Sequence, residues 1–209
     1  MVSIHGAEAI LRDDLILKSW KDRSKVDVSL EYPKHLGQFK VSPSCVGGLS
    51  IIEYGCGPVG GVLPYLEKAK RRVGVDILMA EYKGAGLLKK LKGVKMVRGD
   101  MADAKWTDEF DMAFCINALD HAVDASVPEK ALWAMYQALR SGGQLYLHFH
   151  CRTSEQVDFK HLYAIDENWL LNVSDVIGFK VKSMDVFPSD PLNFVNERAY
   201  KTIVAELEK

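Results

Sequence analysis

The chain has 209 residues, and its 27 Lys and Arg residues nearly balance its 28 Asp and Glu residues, giving a formal net charge of −1. This length fits one domain with a sizeable core, and a near-neutral chain without a long basic run disfavours nucleic acid as a partner. The sequence has no apolar run of about 18 residues and no signal-peptide pattern at its N-terminus, so we expect a soluble, cytoplasmic protein with no membrane partner.

Residues 1–46 form a segment whose pattern differs from the rest of the chain. Residues 7–21 can form an amphipathic helix, and the stretch 24–38 is polar and interrupted by Pro33. We expect a helical cap that lies over a ligand as a lid, or else packs on the edge of the main domain. As a lid it would offer three candidates for substrate contact, namely Trp20, Tyr32 and His35.

Residues 47–209 alternate between strand and helix patterns, which predicts one α/β domain with a mostly parallel sheet covered on both faces. The predicted strands lie near 49–54, 72–76, 94–98, 110–116, 143–150, 179–186 and 194–206. The predicted helices lie near 59–70, 79–91, 127–140 and 166–177.

A glycine-rich turn follows the first strand, where residues 51–61 read IIEYGCGPVGG. Glycines allow a tight bend and a close approach of the backbone to a ligand. A helix that begins near Val59 would also point unpaired N–H groups at that ligand, and such N–H groups bind anions. The pattern is typical of a nucleotide-binding turn.

Acidic residues at the ends of three predicted strands indicate which nucleotide the turn would bind. Glu53, two residues before Gly55, suits a cationic group of the ligand. Asp76 ends the second strand at the position that binds ribose hydroxyls, and an acid there argues against a 2′-phosphate. Asp100, followed by Met101, suits an adenine, with the carboxylate accepting from its amino group and the methionine packing on its face.

Taken together, these segments resemble the class I S-adenosylmethionine-dependent methyltransferases. Residues 53–60 resemble the family's E/D-x-G-x-G motif, residues 110–124 its fourth-strand segment with a trailing L-x-H-x-x-D, and residues 138–147 its L-x-P-G-G signature, with Ser141 in place of the proline. The resemblance implies a Rossmann-like three-layer sandwich with seven strands, the last one antiparallel. It also implies S-adenosylmethionine as cofactor and S-adenosylhomocysteine as product. The implied cofactor-binding residues are Glu53, Tyr54, Gly55, Cys56, Gly57, Asp76, Ile77, Asp100, Met101, Asn117 and His121.

Asp120 and three histidines near the ends of the fourth and fifth strands could do acid–base work, and the histidines are the candidates for catalysis. His121 matches the L-x-H position, and His148 and His150 are two residues apart on a strand and therefore share a face. A sulfonium already activates its methyl group, so positioning supplies much of the catalysis, and a general base is needed only when the nucleophile must lose a proton. The alternative for His148 and His150 is that they are core or helix-facing residues with satisfied hydrogen bonds, whereas the resemblance implies that His121 packs near the cofactor.

Metal binding is a second interpretation of the pair His148 and His150, with Cys151, His121 or His161 completing a ligand set. No spacing in the sequence resembles a known zinc or iron site, and none of the four cysteines forms a C-x-x-C pair. We therefore predict no metal and expect reduced thiols.

The sequence predicts transfer of a methyl group to an oxygen or nitrogen atom of a small molecule. No N-P-P-Y motif follows the fourth strand, and the chain has no appended recognition domain. One alternative is a non-catalytic cofactor-binding or scaffold protein on the same fold. Another is a nicotinamide-dependent oxidoreductase, which would not need Asp100 and Met101. A homodimer is left open.

Overall fold

The computed structural model describes residues 4–23, 31–103, 105–122, 126–151, 165–188 and 201–209. In chain order, the helices are α1 (Ile4–Arg23), α2 (Glu31–Gln38), α3 (Met79–Gly84), α4 (Ser126–Ala138) and α5 (Glu167–Ile177). The strands are β1 (Ser50–Tyr54), β2 (Arg71–Asp76), β3 (Lys95–Arg98), β4 (Phe110–Ile116), β5 (Leu139–Cys151), β6 (Lys180–Pro188) and β7 (Lys201–Glu208). Two short 3-10 helices lie at Leu63–Tyr65 and Leu119–His121.

All seven strands form one sheet in the order β3-β2-β1-β4-β5-β7-β6. The pairs from β3 through to β5 are parallel, and β7 runs antiparallel to both β5 and β6. Residues at the central strands are buried on both faces, as a parallel sheet between two layers requires. The expected Rossmann-like fold with an antiparallel last strand is confirmed.

Two apolar clusters cover the two faces of the sheet. On one face, α4 and α5 pack against alternate residues of the central strands, including Tyr54 and Phe149. On the other face, α2 and the segment after the glycine turn pack against the intervening residues, such as Phe114 and Tyr146. The even-numbered side chains of β5 therefore face α2, and this places His148 and His150 beneath the cap segment.

The predicted helix over 59–70 is wrong. Turns and the single 3-10 helix Leu63–Tyr65 occupy this stretch instead. Gly57, Gly60 and Gly61 all have positive φ angles, which a right-handed helix does not contain. Pro58 and Pro64 also lack the N–H groups that would continue a helical ladder. No α-helix N-terminus therefore follows the glycine turn.

Other predicted boundaries also shift. The helix predicted over 79–91 ends at Gly84, because Gly86 adopts a left-handed conformation with a φ of 70°. The last strand begins at Lys201 and reaches Glu208, and the predicted part before 201 lies outside the described residues. In the parts of the chain that are described, no helix is long and apolar enough to cross a membrane.

Candidate functional site

The glycine turn lies at the carboxyl end of β1, between β2 and the segment that follows β4. The N–H of Gly55 donates to the carbonyl of Val75 at 2.8 Å. A Cβ added to Gly55 would lie 2.2 Å from the Cβ of Ala118, so only glycine fits this contact. The φ angles of Gly55 and Gly57, 70° and 61°, also favour glycine. The turn is held closely against both neighbouring strands.

Asp76, at the end of β2, fixes the turn from the side. Its Oδ2 accepts from the N–H of Gly57 at 2.9 Å, and its Oδ1 accepts from the N–H of Leu78 at 2.9 Å. Burial raises the pKa of the Asp76 carboxyl, whereas the two N–H donors and the nearby Arg12 charge oppose that rise. Each oxygen retains acceptor capacity beyond these bonds, which suits ribose hydroxyls.

The Glu53 side chain points into the molecule and not towards the open space at the carboxyl ends of the strands. It is 1% exposed, and its Oε2 accepts from the N–H of Val62 at 2.8 Å. Burial raises the pKa of the Glu53 carboxyl to about 8, although the backbone N–H groups of Val62 and Leu63 partly oppose this. In this structure Glu53 orients the glycine-rich turn, which is the structural role that a buried carboxylate can fill when backbone donors satisfy it.

The predicted adenine-side residues lie at the ends of β2 and β3. Asp100 is half-buried, and its Oδ1 accepts from the N–H of Ala102 at 2.9 Å. Met101 packs partly on the core, whereas Ile77 is 40% exposed beside Asp76. An exposed apolar side chain at the end of β2 and a carboxylate after β3 would suit an adenine ring and its amino group.

The N-terminal cap lies directly on the glycine turn. A Cβ added to Gly57 would lie 2.5 Å from Cζ2 of Trp20, and the Trp20 ring contacts Tyr82 edge-on at 6.4 Å between centroids. Further back on α1, Arg12 is 7% exposed, and its Nη1 donates to the carbonyl of His121 at 3.1 Å. The helix α1 therefore spans the ends of β2, β1 and β4.

Asn117 and His148, at the ends of β4 and β5, are joined by two hydrogen bonds. Nδ1 of His148 lies 2.7 Å from Oδ1 of Asn117, and the N–H of Asn117 donates to the carbonyl of His148 at 2.7 Å. Asn117 has a φ of 51°, in the left-handed region that asparagine tolerates. Because the amide oxygen can only accept, His148 carries its proton on Nδ1 and its Nε2 has a free lone pair.

His148 is held in its neutral form. Burial lowers its pKa to about 3, and the neighbouring His35 and His150 rings add to this while Asp120 opposes it. Its Nε2 is buried and makes no hydrogen bond within the described part of the chain. The ring of His35, on α2, contacts that of His148 at 4.3 Å between centroids.

The other candidate histidines differ in their surroundings. Nδ1 of His150 lies 3.3 Å from the hydroxyl of Thr202, and its ring centroid is 6.0 Å from that of His148. His121 is half-buried in the short helix after β4. Among the residues that the structure describes, no group of three or more His, Cys, Asp or Glu side chains is arranged to hold a metal ion. His161 falls outside those residues.

The structure gathers most of the candidate cofactor residues at the carboxyl ends of the strands, but the side chains of Tyr54 and Cys56, like that of Glu53, are turned away. The Tyr54 and Cys56 side chains are buried at 0% and 1% exposure, so only their backbone groups reach this edge of the sheet. Arg12 was not among the residues predicted from the sequence, and its partner His121 is 109 positions away along the chain. The one sequence signal that could have indicated Arg12 is an arginine embedded in the apolar face of the predicted helix.

The residues at this edge fit S-adenosylmethionine. Asp76 suits the ribose, Asp100 and Ile77 suit the adenine, and the left-handed glycine turn lets the methionine portion approach the backbone. Because the expected helix is missing after the turn, the methionine carboxylate has no helix N-terminus to bind.

Comparison with known families supports this fit. Residues 52–147 match the family described as "Methyltransferase domain". No curated protein sequence is significantly similar to the chain.

Several solved structures share the fold at low sequence identity. The 1,6-didemethyltoxoflavin N1-methyltransferase of Burkholderia thailandensis, with bound 1,6-didemethyltoxoflavin and S-adenosylhomocysteine, is 17% identical, with a TM-score of 0.69 over 100% of this chain and 91% of that one. A TehB-like methyltransferase of Corynebacterium glutamicum is 19% identical, with a TM-score of 0.64 over 94% and 97% of the two chains. The (4+2)-cyclase SpnF is 15% identical, with a TM-score of 0.60 over 79% and 77%. The chain thus contains a match to the methyltransferase domain over residues 52–147 and shares the fold of S-adenosylmethionine-dependent methyltransferases, consistent with the class I family that its motifs resemble.

Proposed function

We propose that the protein binds S-adenosylmethionine at the carboxyl ends of β1 to β4 and transfers its methyl group to an oxygen or nitrogen atom of a small molecule. The observation that carries the proposal is the contact between the Asp76 carboxylate and the N–H of Gly57, which joins the ribose-binding acid to the glycine turn. When bound, the cofactor supplies a methyl group activated by its sulfonium. The chain's own residues position that methyl group and exclude water.

The acceptor would lie between the cap and the ends of β4 and β5. His148 is the candidate there that is best oriented for removing a proton from it, because Asn117 fixes its tautomer and leaves the Nε2 lone pair available, although the burial that lowers its pKa to about 3 makes the ring a weak base. His121 and His150 remain weaker candidates. The carbonyl of His121 accepts from Arg12, and Nδ1 of His150 lies near the hydroxyl of Thr202.

The segment 1–46 acts as a lid, since α1 already contacts the glycine turn through Trp20. A small acceptor fits the fold neighbour that binds 1,6-didemethyltoxoflavin. We also propose a cytoplasmic location, which the predominance of reduced cysteines favours.

Calorimetric titration tests the cofactor. We expect S-adenosylmethionine and S-adenosylhomocysteine to bind with micromolar dissociation constants and NADH not to bind. Asp76→Asn should weaken both sulfur ligands, because the amide NH2 cannot accept from a ribose hydroxyl. The matched control is Asp175→Asn, an exposed aspartate on α5.

The outcomes separate the candidate functions. Preference for NADH, or no binding of either sulfur ligand, would overturn the proposal. Tight binding without methyl transfer to any of a panel of phenols, N-heterocycles and amines would favour a non-catalytic cofactor-binding protein. The (4+2)-cyclase SpnF shares the fold, so the fold alone does not guarantee methyl transfer.

A further inference from the structure

A buried arginine in the cap lies beside the residues that would hold the cofactor. Arg12 is 7% exposed, although arginine is almost never fully buried unless it is paired. Its Nη1 donates to the carbonyl of His121, and its charge acts on the Asp76 carboxyl. The guanidinium therefore lies between the ends of β2 and β4, above the glycine turn.

The hydrogen bonds of Arg12 leave part of its donor capacity unused. Nε and Nη2 donate to Oδ1 of Asp13, and Nη1 donates to His121. A guanidinium has five N–H donors. Two of them, one on each terminal nitrogen, have no acceptor among the residues that the structure describes. Two parallel donors of this kind bind a carboxylate well.

The cofactor presents one carboxylate, and the glycine turn offers it no helix N-terminus. Turns with positive φ angles replace the helix that would normally supply an oriented dipole and free N–H groups there. Glu53 lies beneath the turn and accepts from the N–H of Val62, so it adds no positive charge there. Among the described residues, the Arg12 guanidinium is the cation whose charge acts on Asp76, beside the glycine turn.

We propose that Arg12 is the counter-charge for the methionine carboxylate of the cofactor. This inference rests on the proposed function, because it requires that S-adenosylmethionine binds at this edge. It also gives α1 a specific role: the helix closes over the cofactor through an ion pair as well as through the Trp20 contact. The methionine portion of the cofactor, and not only its nucleoside portion, would then hold the cap in place.

The test compares two ligands that differ only in the carboxylate. S-adenosylhomocysteine and its decarboxylated form, which keeps the amine, are titrated calorimetrically into the full chain and into Arg12→Gln. We expect the substitution to weaken S-adenosylhomocysteine by about 10- to 100-fold, since hydrogen bonds to charged groups are of this strength. The decarboxylated ligand should change by less than about threefold, within the additivity error of such comparisons.

Lys18→Gln is the matched control, because Lys18 is an exposed cation on the same helix. It should alter neither affinity. If Arg12→Gln weakened both ligands equally, Arg12 would only hold α1 in place and the proposal would be wrong. Equal binding of both ligands to the unsubstituted chain would also overturn it. Failure of the unsubstituted chain to bind either ligand would instead reject the proposed function and, with it, this role for Arg12.

Discussion

At the scale of single residues, the contact between Gly61 and Glu53 shows how closely the glycine turn is packed. A Cβ on Gly61 would lie 2.0 Å from Oε1 of Glu53, a carboxylate that is itself fixed by Val62. Gly61 also has a φ of 54°. Two separate costs therefore oppose any side chain here, namely the left-handed backbone and the collision with a buried carboxylate.

Gly61→Ala should therefore destabilise the protein more than the same change at a left-handed glycine in open space. Gly142 is that control, because its φ is 75° and no atom lies within 4 Å of the added Cβ. We expect about 1–2 kcal/mol of destabilisation for Gly142→Ala from the backbone alone, and about 1–3 kcal/mol more for Gly61→Ala from overpacking. Urea unfolding measures both, and equal losses would show that the Glu53 contact relaxes freely.

The pKa of Glu53 predicts a second effect, on the pH dependence of stability. Its pKa rises from 4.5 to about 8 in the folded chain. Between these values the folded state holds a proton that the unfolded state has lost, so this group makes stability fall as the pH rises. His148 acts in the opposite direction: its lowered pKa makes stability fall as the pH drops from about 6.5 towards about 3.

Glu53→Gln should remove the alkaline part of this dependence. Relative to the unsubstituted chain, the variant should gain on the order of 3 kcal/mol between pH 5.5 and 8, less any loss from relaxation of the turn. Glu67→Gln, an exposed acid beyond the same turn, should follow the unsubstituted chain. Parallel curves for all three proteins, measured by urea unfolding at a series of pH values, would mean that Glu53 is ionised normally.

At the scale of elements, the cap helix α1 lies on the carboxyl ends of the strands, and few contacts hold it in position. Trp20 packs on Gly57 and Tyr82, and Arg23 lies over the Trp20 ring at 4.8 Å. The strands beneath have hydrogen-bonded partners on both sides, except at the two edges of the sheet. Local opening of α1 should therefore cost less free energy than opening of the sheet.

Trp20→Ala should increase amide hydrogen exchange in α1 by about 10- to 100-fold and leave exchange in β1 and β4 unchanged, because the loss of packing falls on the cap alone. Trp133→Ala is the matched control, since Trp133 is 47% exposed on α4. Exchange followed by mass spectrometry of peptides reports each segment separately. A general rise across the sheet would contradict the interpretation of α1 as an independently opening lid.

The elements also show what the sequence could and could not predict. The strands were predictable because short apolar runs end in Asp76, Asp100 and Asn117, and such acids and amides collect at one edge of a parallel sheet. The absence of a helix after the glycine turn was not predictable. The G-x-G-x-x-G pattern suggests a helix there, and the positive φ angles of Gly60 and Gly61 appear only in three dimensions. The contact of Arg12 with His121 was hidden for a similar reason, since it joins distant segments.

At the scale of the whole molecule, charge is distributed unevenly despite the net value of −1. Residues 67–98 contain ten basic and three acidic side chains, and they form β2, α3, β3 and their connections, at the β3 edge of the sheet. Lys89, Lys90, Lys92 and Lys95 are all exposed there. The rest of the chain is correspondingly acidic, so the protein has a strongly basic edge.

This basic edge should make the protein bind a cation-exchange resin at pH 7 and low ionic strength, although its sequence pI of about 6.6 predicts no retention. Retention should disappear near 0.15 M salt, where the Debye length falls to about 8 Å. Lys89→Glu with Lys92→Glu should abolish it, because both charges belong to the concentrated patch. Lys18→Glu with Lys130→Glu changes the net charge equally but leaves that patch intact, so retention should persist. Equal loss in both double variants would show that net charge, and not its distribution over the β3 edge, governs binding.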